Sequence, residues 1–363
     1  MVSMARPFLA DPEWVDKAEA GREKEINTCI GCNQACLDHI FERKTASCLV
    51  NPRACHETVM VHKKAKQPKN IAVVGGGPAG LACAVTAAER GHRVSLFEAG
   101  MEIGGQFLLA RRIPGKEEFA ETLRYFGHRL AQLGVDVKTG RKASGEDLKG
   151  YQEVVVATGV APRRLDLPGI AGTRVAYYDE VLRNQKNIGK RVAIIGAGGI
   201  GFDLAAYLLH ESPAPATIES FMAQWGVDMA YRSPGGLGVS SIKAPFRTIY
   251  LLQRKKSRPG AGLGKTTGWI HRAHLKQAGV KMLSGVTYLA VEENGLRIGH
   301  RGEEKLLELD NVVVCAGQVP VAGLPEELAA QGIRHHIIGG ARKAGELDAE
   351  RAIREGVELA DFL

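Results

Sequence analysis

The chain has 363 residues, enough to bury at least two hydrophobic cores, and it is 45% hydrophobic and 24% charged with 44 glycines. This composition is typical of a soluble α/β protein and excludes a fibrous or disordered one. Lys and Arg exceed Asp and Glu by 48 to 40, a net charge of +8. However, no basic run with interleaved aromatics indicates a nucleic-acid partner, and no stretch of about 18 apolar residues predicts a membrane span.

The first 68 residues are predicted to be helical and to carry most of the cysteines. The opening stretch 1–8 is typical of the end of a strand followed by a loop. The start lacks the charged and then apolar pattern of an export signal, and five of the seven cysteines fall between residues 29 and 55. We therefore expect a cytoplasmic chain whose clustered thiols bind metal rather than form disulfides.

The clustered cysteines follow the spacing C-x2-C-x3-C-x11-C. Cys29, Cys32 and Cys36 crowd one short segment, and Cys48 comes from a distance. This spacing favours a [4Fe–4S] cluster, which needs four sulfurs around one small object. Structural zinc more often uses two separated C-x2-C pairs. Zinc and unligated thiols are the alternatives, and Cys55 competes with Cys48 as the fourth ligand.

A charged linker, 63–69, precedes two strand–helix–strand patterns that start about 120 residues apart, which indicates an internal duplication. Apolar periodicity predicts strands at 71–74, 94–97, 192–195 and 249–252 and helices at 81–90 and 201–210. Residues 211–247 are interpreted as a surface insertion. A later strand at 312–314 and a final helix from 348 to about 363 predict that the second unit is inserted into the first.

The first pattern carries a glycine fingerprint between its strand and its helix. Gly75, Gly77 and Gly80 occupy the three positions of G-x-G-x-x-G. The first glycine allows a tight turn, the second lets backbone approach a pyrophosphate, and the third lets helix and strand pack closely. Glu98 ends the second strand, where a carboxylate can accept the ribose hydroxyls. Together these residues predict an FAD site.

The second pattern has glycines at the corresponding turn: Gly196, Gly198, Gly199 and Gly201. Its second strand ends in Gln253, Arg254, Lys255 and Lys256 instead of an acid. A carboxylate would repel a 2′-phosphate, whereas Arg254 and Lys255 would attract one, so the second site is predicted to prefer NADPH to NADH. The alternative interpretation of these cations is a solvated basic cluster.

Two further strands end in small residues that would let a dinucleotide approach the backbone. Strand 154–156 is followed by Ala-Thr-Gly ending at Gly159, and strand 312–314 by Cys-Ala-Gly beginning at Cys315. Cys315 and Cys83, which lies on an apolar helix face, are predicted to be core thiols.

The motifs ARPFLADP, INTCIGCNQAC, GGGPAGL, FEAGMEIGGQF, GAGGIGFD, LGKTTGWIHR and ELDAERAI together resemble the bacterial NADPH-type 2,4-dienoyl-CoA reductases. The wider family includes trimethylamine and histamine dehydrogenases and NADH:flavin oxidoreductases. Its members carry an FMN-binding TIM barrel, then a [4Fe–4S] cluster, then FAD and NADPH domains. The resemblance covers nearly the whole chain but only the last residues of the barrel, so we expect the electron-input half of such a reductase.

The resemblance implies a fold class and a domain order. We expect an α/β chain with two nested Rossmann-like domains, preceded by a short helical cluster segment and the end of a missing TIM barrel. The implied limits are 1–25 for the barrel remnant, 26–68 for the cluster segment and linker, 69–160 with 310–363 for the FAD domain, and 161–309 for the NADPH domain.

The resemblance also implies site residues. The cluster would be held by Cys29, Cys32, Cys36 and Cys48, and the FMN phosphate approached by Ala5 and Arg6. FAD would contact Gly75, Gly77, Ala79, Gly80, Glu98, Gly105, Gln106, Gly159, Gly340 and Asp348. NADPH would contact Gly196, Gly198, Gly199, Gly201, Arg254 and Lys255. The family usually has an aspartate for the ribityl chain shortly after Gly340, but Ala-Arg-Lys follows here.

The implied function is hydride transfer from NADPH to FAD, then single electrons through the cluster towards FMN, which reduces 2,4-dienoyl-CoA in fatty acid β-oxidation. The family's acid/base Tyr and His lie in the barrel, so no catalytic residue is expected here. One alternative is a stand-alone NADPH dehydrogenase that supplies electrons to a separate partner. Another is a non-catalytic dinucleotide-sensing module.

Overall fold

The computed structural model of the chain describes residues 1–209, 217–241, 244–345 and 348–363. The helices in these ranges are α1 (Arg6–Ala10), α2 (Trp14–Glu19), α3 (Leu37–Phe41), α4 (Pro78–Glu89), α5 (Phe107–Ala110), α6 (Phe119–Gln132), α7 (Gly145–Leu148), α8 (Tyr178–Leu182), α9 (Gly199–Leu208), α10 (Ile218–Trp225), α11 (Gly268–Gln277), α12 (Leu324–Ala330) and α13 (Ala349–Phe362). Short 3-10 helices lie at Glu23–Glu25, Pro234–Gly236 and Gly339–Ala341. None of the described helices has the length and apolarity that crossing a bilayer requires.

The strands of the described residues are β1 (Asn70–Val74), β2 (Arg93–Phe97), β3 (Asp136–Lys138), β4 (Glu153–Val156), β5 (Val160–Pro162), β6 (Val175–Tyr177), β7 (Arg191–Ile195), β8 (Thr248–Leu252), β9 (Lys281–Leu283), β10 (Thr287–Glu292), β11 (Gly295–His300), β12 (Glu303–Glu308), β13 (Asn311–Val314), β14 (Gln318–Pro320) and β15 (His335–Ile337). The strands predicted at 71–74, 94–97, 154–156, 192–195, 249–252 and 312–314 are all present, because each is a short apolar run bounded by turn residues.

The first sheet is parallel with the strand order β15-β4-β1-β2-β3, which is the order of a Rossmann-type fold. Residues Ile71 to Val74 of β1 are all buried, as expected for a parallel strand covered on both faces. Ile71 and Val73 pack with α4, α6 and α13, whereas Ala72 and Val74 pack with α7 and α12. The fingerprint therefore lies at the carboxyl end of a strand in the centre of this sheet.

The second sheet repeats this arrangement with the parallel order β6-β13-β7-β8-β9. An antiparallel meander, β10-β11-β12, packs against it, with Leu296 and Ile298 of the meander in one core with Ala193 and Ile195 of β7. β7 again brings a glycine turn to the carboxyl edge of its sheet.

The chain forms two compact units, each built around one of these sheets. The first comprises Met1–Arg111, Lys116–Arg163 and Gln318–Leu363, and the second Arg112–Gly115 and Arg164–Gly317. β13 pairs with β6 and β7 as an inner strand of the second sheet. The chain thus returns to the first unit at Gln318 rather than at residue 310, because the apolar run in β13 completes the second sheet.

The first 68 residues are less helical than predicted, since α1, α2 and α3 have only five or six residues each. The strand end predicted within residues 1–8 is absent, whereas the predicted loop holds for residues 1–5, which form neither helix nor strand. A helix begins at Arg6 instead, with Pro7 in its first turn, where the missing N–H of proline costs nothing.

The predicted helix 201–210 begins earlier, at Gly199, and runs to Leu208. Residue 210 lies outside the described residues, as do 211–216 and 242–243 of the predicted insertion and 346–347 of the last sequence motif. The described part of the insertion includes α10, all of whose residues are exposed or half-exposed.

Candidate functional site

The first glycine fingerprint forms the turn between β1 and α4. Gly75 has a φ of +112°, and a Cβ there would lie 2.2 Å from the carbonyl oxygen of Ala157. A Cβ on Gly80 would lie 1.9 Å from the carbonyl oxygen of Gly75. Only glycine therefore permits this turn and this packing of the helix against it. Gly77 is the N-cap of α4, and no described side chain caps that end, so the helix N-terminus suits an anionic phosphate.

Glu98 follows β2 and holds two turns of this site together. Its Oε2 accepts a hydrogen bond from the Gly76 N–H at 2.7 Å, and its Oε1 accepts one from the Gly100 N–H at 2.6 Å. Each carboxylate oxygen has a further lone pair, so Glu98 can also accept ribose hydroxyls. Gly105 approaches Gly77 so closely that a Cβ on Gly105 would lie 2.9 Å from the Gly77 Cα.

The remaining residues predicted to contact FAD lie in the same unit. They are Ala79 in the first turn of α4, Gln106 at the N-cap of α5, Gly159 between β4 and β5, Gly340 in a 3-10 helix, and Asp348 at the N-cap of α13. Asp348 accepts a hydrogen bond from the Arg351 N–H at 2.8 Å. Its carboxylate thus caps the helix that would approach the pyrophosphate.

Arg342 lies where the family resemblance leads one to expect an aspartate, and the structure gives it a different partner. Its Nη2 lies 2.5 Å from Oε1 of Glu355, whose side chain is only 9% exposed. The same oxygen pairs with Arg351 Nη1 at 3.0 Å, and Oε2 accepts the Gly339 N–H at 2.6 Å. These contacts tie the turn after β15 to α13. Sequence reasoning missed Glu355, although its i, i+4 spacing from Arg351 is a local signal.

The second fingerprint repeats the first at the end of β7. A Cβ on Gly196 would lie 2.4 Å from the carbonyl oxygen of Cys315, and one on Gly201 would lie 1.9 Å from the carbonyl oxygen of Gly196. Gly198 and Gly199 differ, because no described atom lies within 4 Å of a Cβ added at either position. These two glycines leave open space at the N-terminus of α9, where a pyrophosphate could approach the backbone.

Arg254 and Lys255 lie immediately after β8, and both are exposed. The Gln253 side chain donates to the Lys255 carbonyl oxygen at 3.1 Å, which fixes the start of the loop. The next residue, Lys256, and Arg258 of the same loop are also exposed and basic. Fixed positive charge after the second strand suits the 2′-phosphate of NADPH.

The four predicted cluster ligands come together in the first unit. One small cavity is lined by Cys29, Cys32, Cys36 and Cys48, with Arg6, Leu9, Ile30, Asn33, Ala35, Leu49 and Val50 completing it. Backbone N–H groups reach two of the sulfurs: Gln34 donates to Cys32, and Val50 and Asn51 donate to Cys48. Hydrogen bonds of this kind stabilise sulfur that carries negative charge.

Burial disfavours negative charge on the sulfurs of this cavity unless metal ions are bound to them. Burial, followed by the nearby thiols, raises the pKa of Cys32 to about 12. Burial also raises the pKa of Cys48 to about 11. In the described ranges no three His, Cys, Asp or Glu side chains lie close enough to bind one metal ion together. Four cysteine sulfurs are a donor set that both a [4Fe–4S] cluster and a structural zinc ion take, and the cysteine spacing favours the cluster.

Three further cysteines lie elsewhere. Cys55 is exposed and does not line the cavity, so the structure brings Cys48, not Cys55, to the other three. Cys83 and Cys315 are buried, as predicted, and burial raises the pKa of both thiols. Ala5 is the N-cap of α1, and the neighbouring Arg6 side chain lines the cavity.

Two Rossmann-type units, each with a glycine turn at the carboxyl edge of a parallel sheet, define a flavin- and pyridine-nucleotide-dependent oxidoreductase. The family model described as "Pyridine nucleotide-disulphide oxidoreductase" matches residues 69–338. The chain therefore belongs to this family. Membership implies FAD and NAD(P)H as its cofactor and reductant.

The relatives of the chain are longer than it is. A metal reductase of Desulforamulus reducens is 32% identical over 348 residues, which cover 94% of this chain and 51% of that protein. An NADH oxidase of Thermoanaerobacter brockii is 30% identical over 369 residues, covering 99% and 51%. A 2-naphthoyl-CoA reductase structure superimposes with a TM-score of 0.85 at 27% identity, covering 99% and 50%. The chain thus spans about half the length of these proteins.

Proposed function

We propose that the chain is the electron-input part of an NADPH-dependent 2,4-dienoyl-CoA reductase. It takes a hydride from NADPH onto FAD and passes single electrons through a [4Fe–4S] centre towards FMN on a barrel domain. The observation that carries this proposal is the cavity lined by four cysteines in the same unit as the first fingerprint. That cavity supplies a one-electron exit, which a dinucleotide-binding fold alone lacks.

The FAD site is assigned to the first unit. Gly75 and Gly80 shape the turn, Gly77 and Ala79 present the helix N-terminus to the pyrophosphate, and Glu98 accepts the ribose hydroxyls. Gly105 packs against Gly77 so closely that a Cβ on Gly105 would lie 2.9 Å from the Gly77 Cα, so the absence of a side chain at Gly105 lets the two turns of the proposed site come together. FAD, when bound, supplies the conversion of a two-electron hydride into single electrons.

NADPH is assigned to the second unit, where Gly198 and Gly199 leave space for the pyrophosphate and Arg254 and Lys255 pair with the 2′-phosphate. Hydride transfer needs no acid or base from the protein, because the hydride carries its own electron pair. The task of this unit is therefore to hold and orient the nicotinamide.

The acyl-CoA substrate is assigned to the barrel domain of the complete enzyme. The motifs of the chain resemble dienoyl-CoA reductases, and the solved structure of similar fold is named as acting on an aromatic acyl-CoA. Both observations favour a conjugated thioester as the final electron acceptor. The family's acid/base Tyr and His belong to the barrel, so this chain alone should not reduce it.

Anaerobic purification followed by cofactor analysis tests the proposal. We expect about one FAD and four iron atoms per chain, and loss of the flavin absorbance when NADPH is added. A colourless protein that binds zinc through its thiols would contradict the redox assignment. Turnover of 2,4-dienoyl-CoA by the chain alone would contradict the assignment of the substrate site to the barrel.

A second candidate is a stand-alone NADPH dehydrogenase that delivers electrons to a separate acceptor. The observation that favours it is the 32% identity to a protein named as a metal reductase. Rapid NADPH-dependent reduction of a soluble Fe(III) chelate, unchanged when an FMN-bearing barrel is added, would favour this candidate. A dinucleotide sensor would bind NADPH but show no turnover with any acceptor. None of the seven cysteines forms a disulfide, and we propose on this ground a reducing, cytoplasmic setting for either enzyme.

A further inference from the structure

Arg6 links the first helix of the chain to the loop that carries three of the cysteines. Its Nη1 donates a hydrogen bond to Asn33 Oδ1 at 2.7 Å across 27 residues of sequence. Asn33 lies between Cys32 and Cys36 and has a φ of +60°, a conformation in which asparagine is enriched. Arg6 is also one of the residues that line the cavity with the sulfurs, so the cysteine loop itself holds this guanidinium, through Asn33, at the cavity wall.

The electrostatic consequence follows from the surroundings. Arginine stays protonated at every accessible pH. Ile30, Leu49 and Val50 line the cavity and are buried, whereas Arg6 is exposed and its hydrogen bond to Asn33 lies at the surface. Water therefore reduces the interaction of this charge with the centre but does not abolish it. A fixed cation beside an anionic centre stabilises its more negative, reduced form more than its oxidised form. Net charge and hydrogen bonding are what set the reduction potential of such centres.

We propose that Arg6, held in place by Asn33, is a positioning residue that raises the reduction potential of the four-cysteine centre. This inference rests on the proposed [4Fe–4S] assignment. It adds a nearby positive charge that makes the centre a more favourable acceptor for electrons from the flavin. Arg6 donates to the cysteine loop, so its guanidinium has a function within this chain in addition to the FMN-phosphate contact implied by the family resemblance.

The test compares four variants of the full chain, purified anaerobically with the centre in place: Arg6→Gln, Arg6→Lys, Asn33→Gly and Arg43→Gln. Asn33→Gly removes the acceptor but keeps a residue that tolerates positive φ. Arg43 is the matched control, because it is an exposed arginine of the same segment that does not line the cavity. The readouts are the iron content and the midpoint potential from a redox titration followed by electron paramagnetic resonance.

We expect Arg6→Gln to lower the ratio of reduced to oxidised centre about tenfold at a fixed ambient potential, which is about 59 mV for a one-electron couple. Arg6→Lys should keep most of the potential, Asn33→Gly should show a smaller fall than Arg6→Gln, and Arg43→Gln should match the wild type. Loss of iron from Arg6→Gln but not from Arg6→Lys would also support the inference, because only the charge at position 6 differs in kind between these two variants.

Other results would overturn the inference. Equal potentials in wild type and Arg6→Gln would remove the electrostatic role. Equal shifts in Arg6→Gln and Arg6→Lys, or loss of iron from both, would show that packing matters and charge does not. An Arg43→Gln shift as large as that of Arg6→Gln would indicate a general surface effect. Absence of iron from the wild type would instead contradict the proposed function, so the two failures are distinguishable.

Discussion

The buried carboxylate of Glu355 accepts a hydrogen bond from the backbone N–H of Gly339 at 2.6 Å. This bond joins the centre of α13 to the turn after β15, and Arg342 and Arg351 neutralise the same carboxylate. The residues that would approach the flavin, Gly340 and Asp348, lie on either side of this connection. The geometry of that part of the FAD site therefore depends on a carboxylate that would not itself touch the cofactor.

Replacing Glu355 with Gln is expected to loosen this turn. The change keeps the shape but leaves two arginines without a counter-charge, and breaking a partly exposed ion-pair network of this kind costs about 2 kcal/mol. We expect a lower thermal midpoint and an FAD dissociation constant raised about tenfold, measured by flavin fluorescence. Glu358→Gln is the control, since Glu358 is exposed on the same helix. Equal effects from the two variants would contradict the prediction.

The strands and both glycine turns could be predicted because their signals are local. A run such as Ile-Ala-Val-Val followed by Gly-Gly-Gly-Pro-Ala-Gly specifies a strand, a turn and a helix within a few residues. The sheet that β13 joins could not be predicted, because a short apolar strand could pair within either sheet and the choice depends on long-range packing. The helix at Arg6 was missed for a similar reason, since a five-residue helix has little periodicity.

The site residues also divide into those with a local sequence signal and those whose contacts depend on the tertiary fold. The cysteine spacing identified four residues that the structure brings to one cavity. The contact from Arg6 to Asn33 and the pairing of Arg342 with Glu355 join residues 27 and 13 positions apart. Neither pairing follows from a motif, because a long polar side chain has many alternative partners and the tertiary fold decides between them.

Glu153 is expected to make the stability of the first unit depend on pH. Its side chain is 2% exposed and pairs with Lys69 at 2.8 Å, His336 at 3.0 Å and Arg334 at 3.1 Å. Burial alone would raise the pKa of this carboxyl, but the hydrogen bonds from Lys69 and His336 hold it below its usual value. A depressed folded pKa means that the stabilisation is present above the unfolded value of about 4.3 and is lost as the pH falls through the folded value.

Urea unfolding between pH 3 and pH 7 measures this effect. The free energy of unfolding of the wild type should fall as the pH is lowered towards 3. For Glu153→Gln it should be about 2 kcal/mol lower at pH 7 and should decrease less steeply on acidification, that is, with a flatter acid limb. The exposed Glu303 offers a matched control, and Glu303→Gln should keep the wild-type profile. An unchanged acid limb in Glu153→Gln would show that another carboxylate is responsible.

Replacing Arg254 with Ala is expected to affect NADPH more than NADH. The guanidinium would pair with the 2′-phosphate, which NADH lacks, so its loss should raise the KM for NADPH about 10- to 100-fold and leave the KM for NADH within about twofold. Steady-state reduction of ferricyanide with each nucleotide measures both values. Arg183→Ala, an exposed arginine of the same unit, should change neither. Equal increases for both nucleotides would reject the assignment of the 2′-phosphate to Arg254.

Alanine substitutions at two glycines of the first turn are expected to affect different properties: one the stability of the fold, the other the binding of FAD. A Cβ on Gly80 would overlap the Gly75 carbonyl oxygen at 1.9 Å, whereas the nearest described atom to a Cβ on Gly77 lies 3.9 Å away. Gly80→Ala should therefore destabilise the protein by about 3 kcal/mol or more. Gly77→Ala should cost less than about 1 kcal/mol but weaken FAD binding at least tenfold, because the new methyl group covers backbone that the pyrophosphate would approach.

Thermal unfolding of the flavin-free protein and titration with FAD measure the two effects separately. If Gly77→Ala bound FAD as tightly as the wild type, the first turn would not be the pyrophosphate site. If Gly80→Ala were as stable as the wild type, the close packing between this glycine and the carbonyl oxygen of Gly75 would not be essential to the fold.

Cys48 is predicted to be the fourth cluster ligand, and Cys55 serves as the internal control. Cys48 lines the cavity with the other three sulfurs, whereas Cys55 is exposed outside it. Cys48→Ser should reduce the iron content to well under half of the wild-type value, because a cubane held by three thiolates is easily lost. Cys55→Ser should retain the full iron content and the visible absorbance. Retention of four iron atoms by Cys48→Ser together with their loss from Cys55→Ser would reverse the assignment, and loss from neither would argue that sulfur at these two positions does not hold the centre.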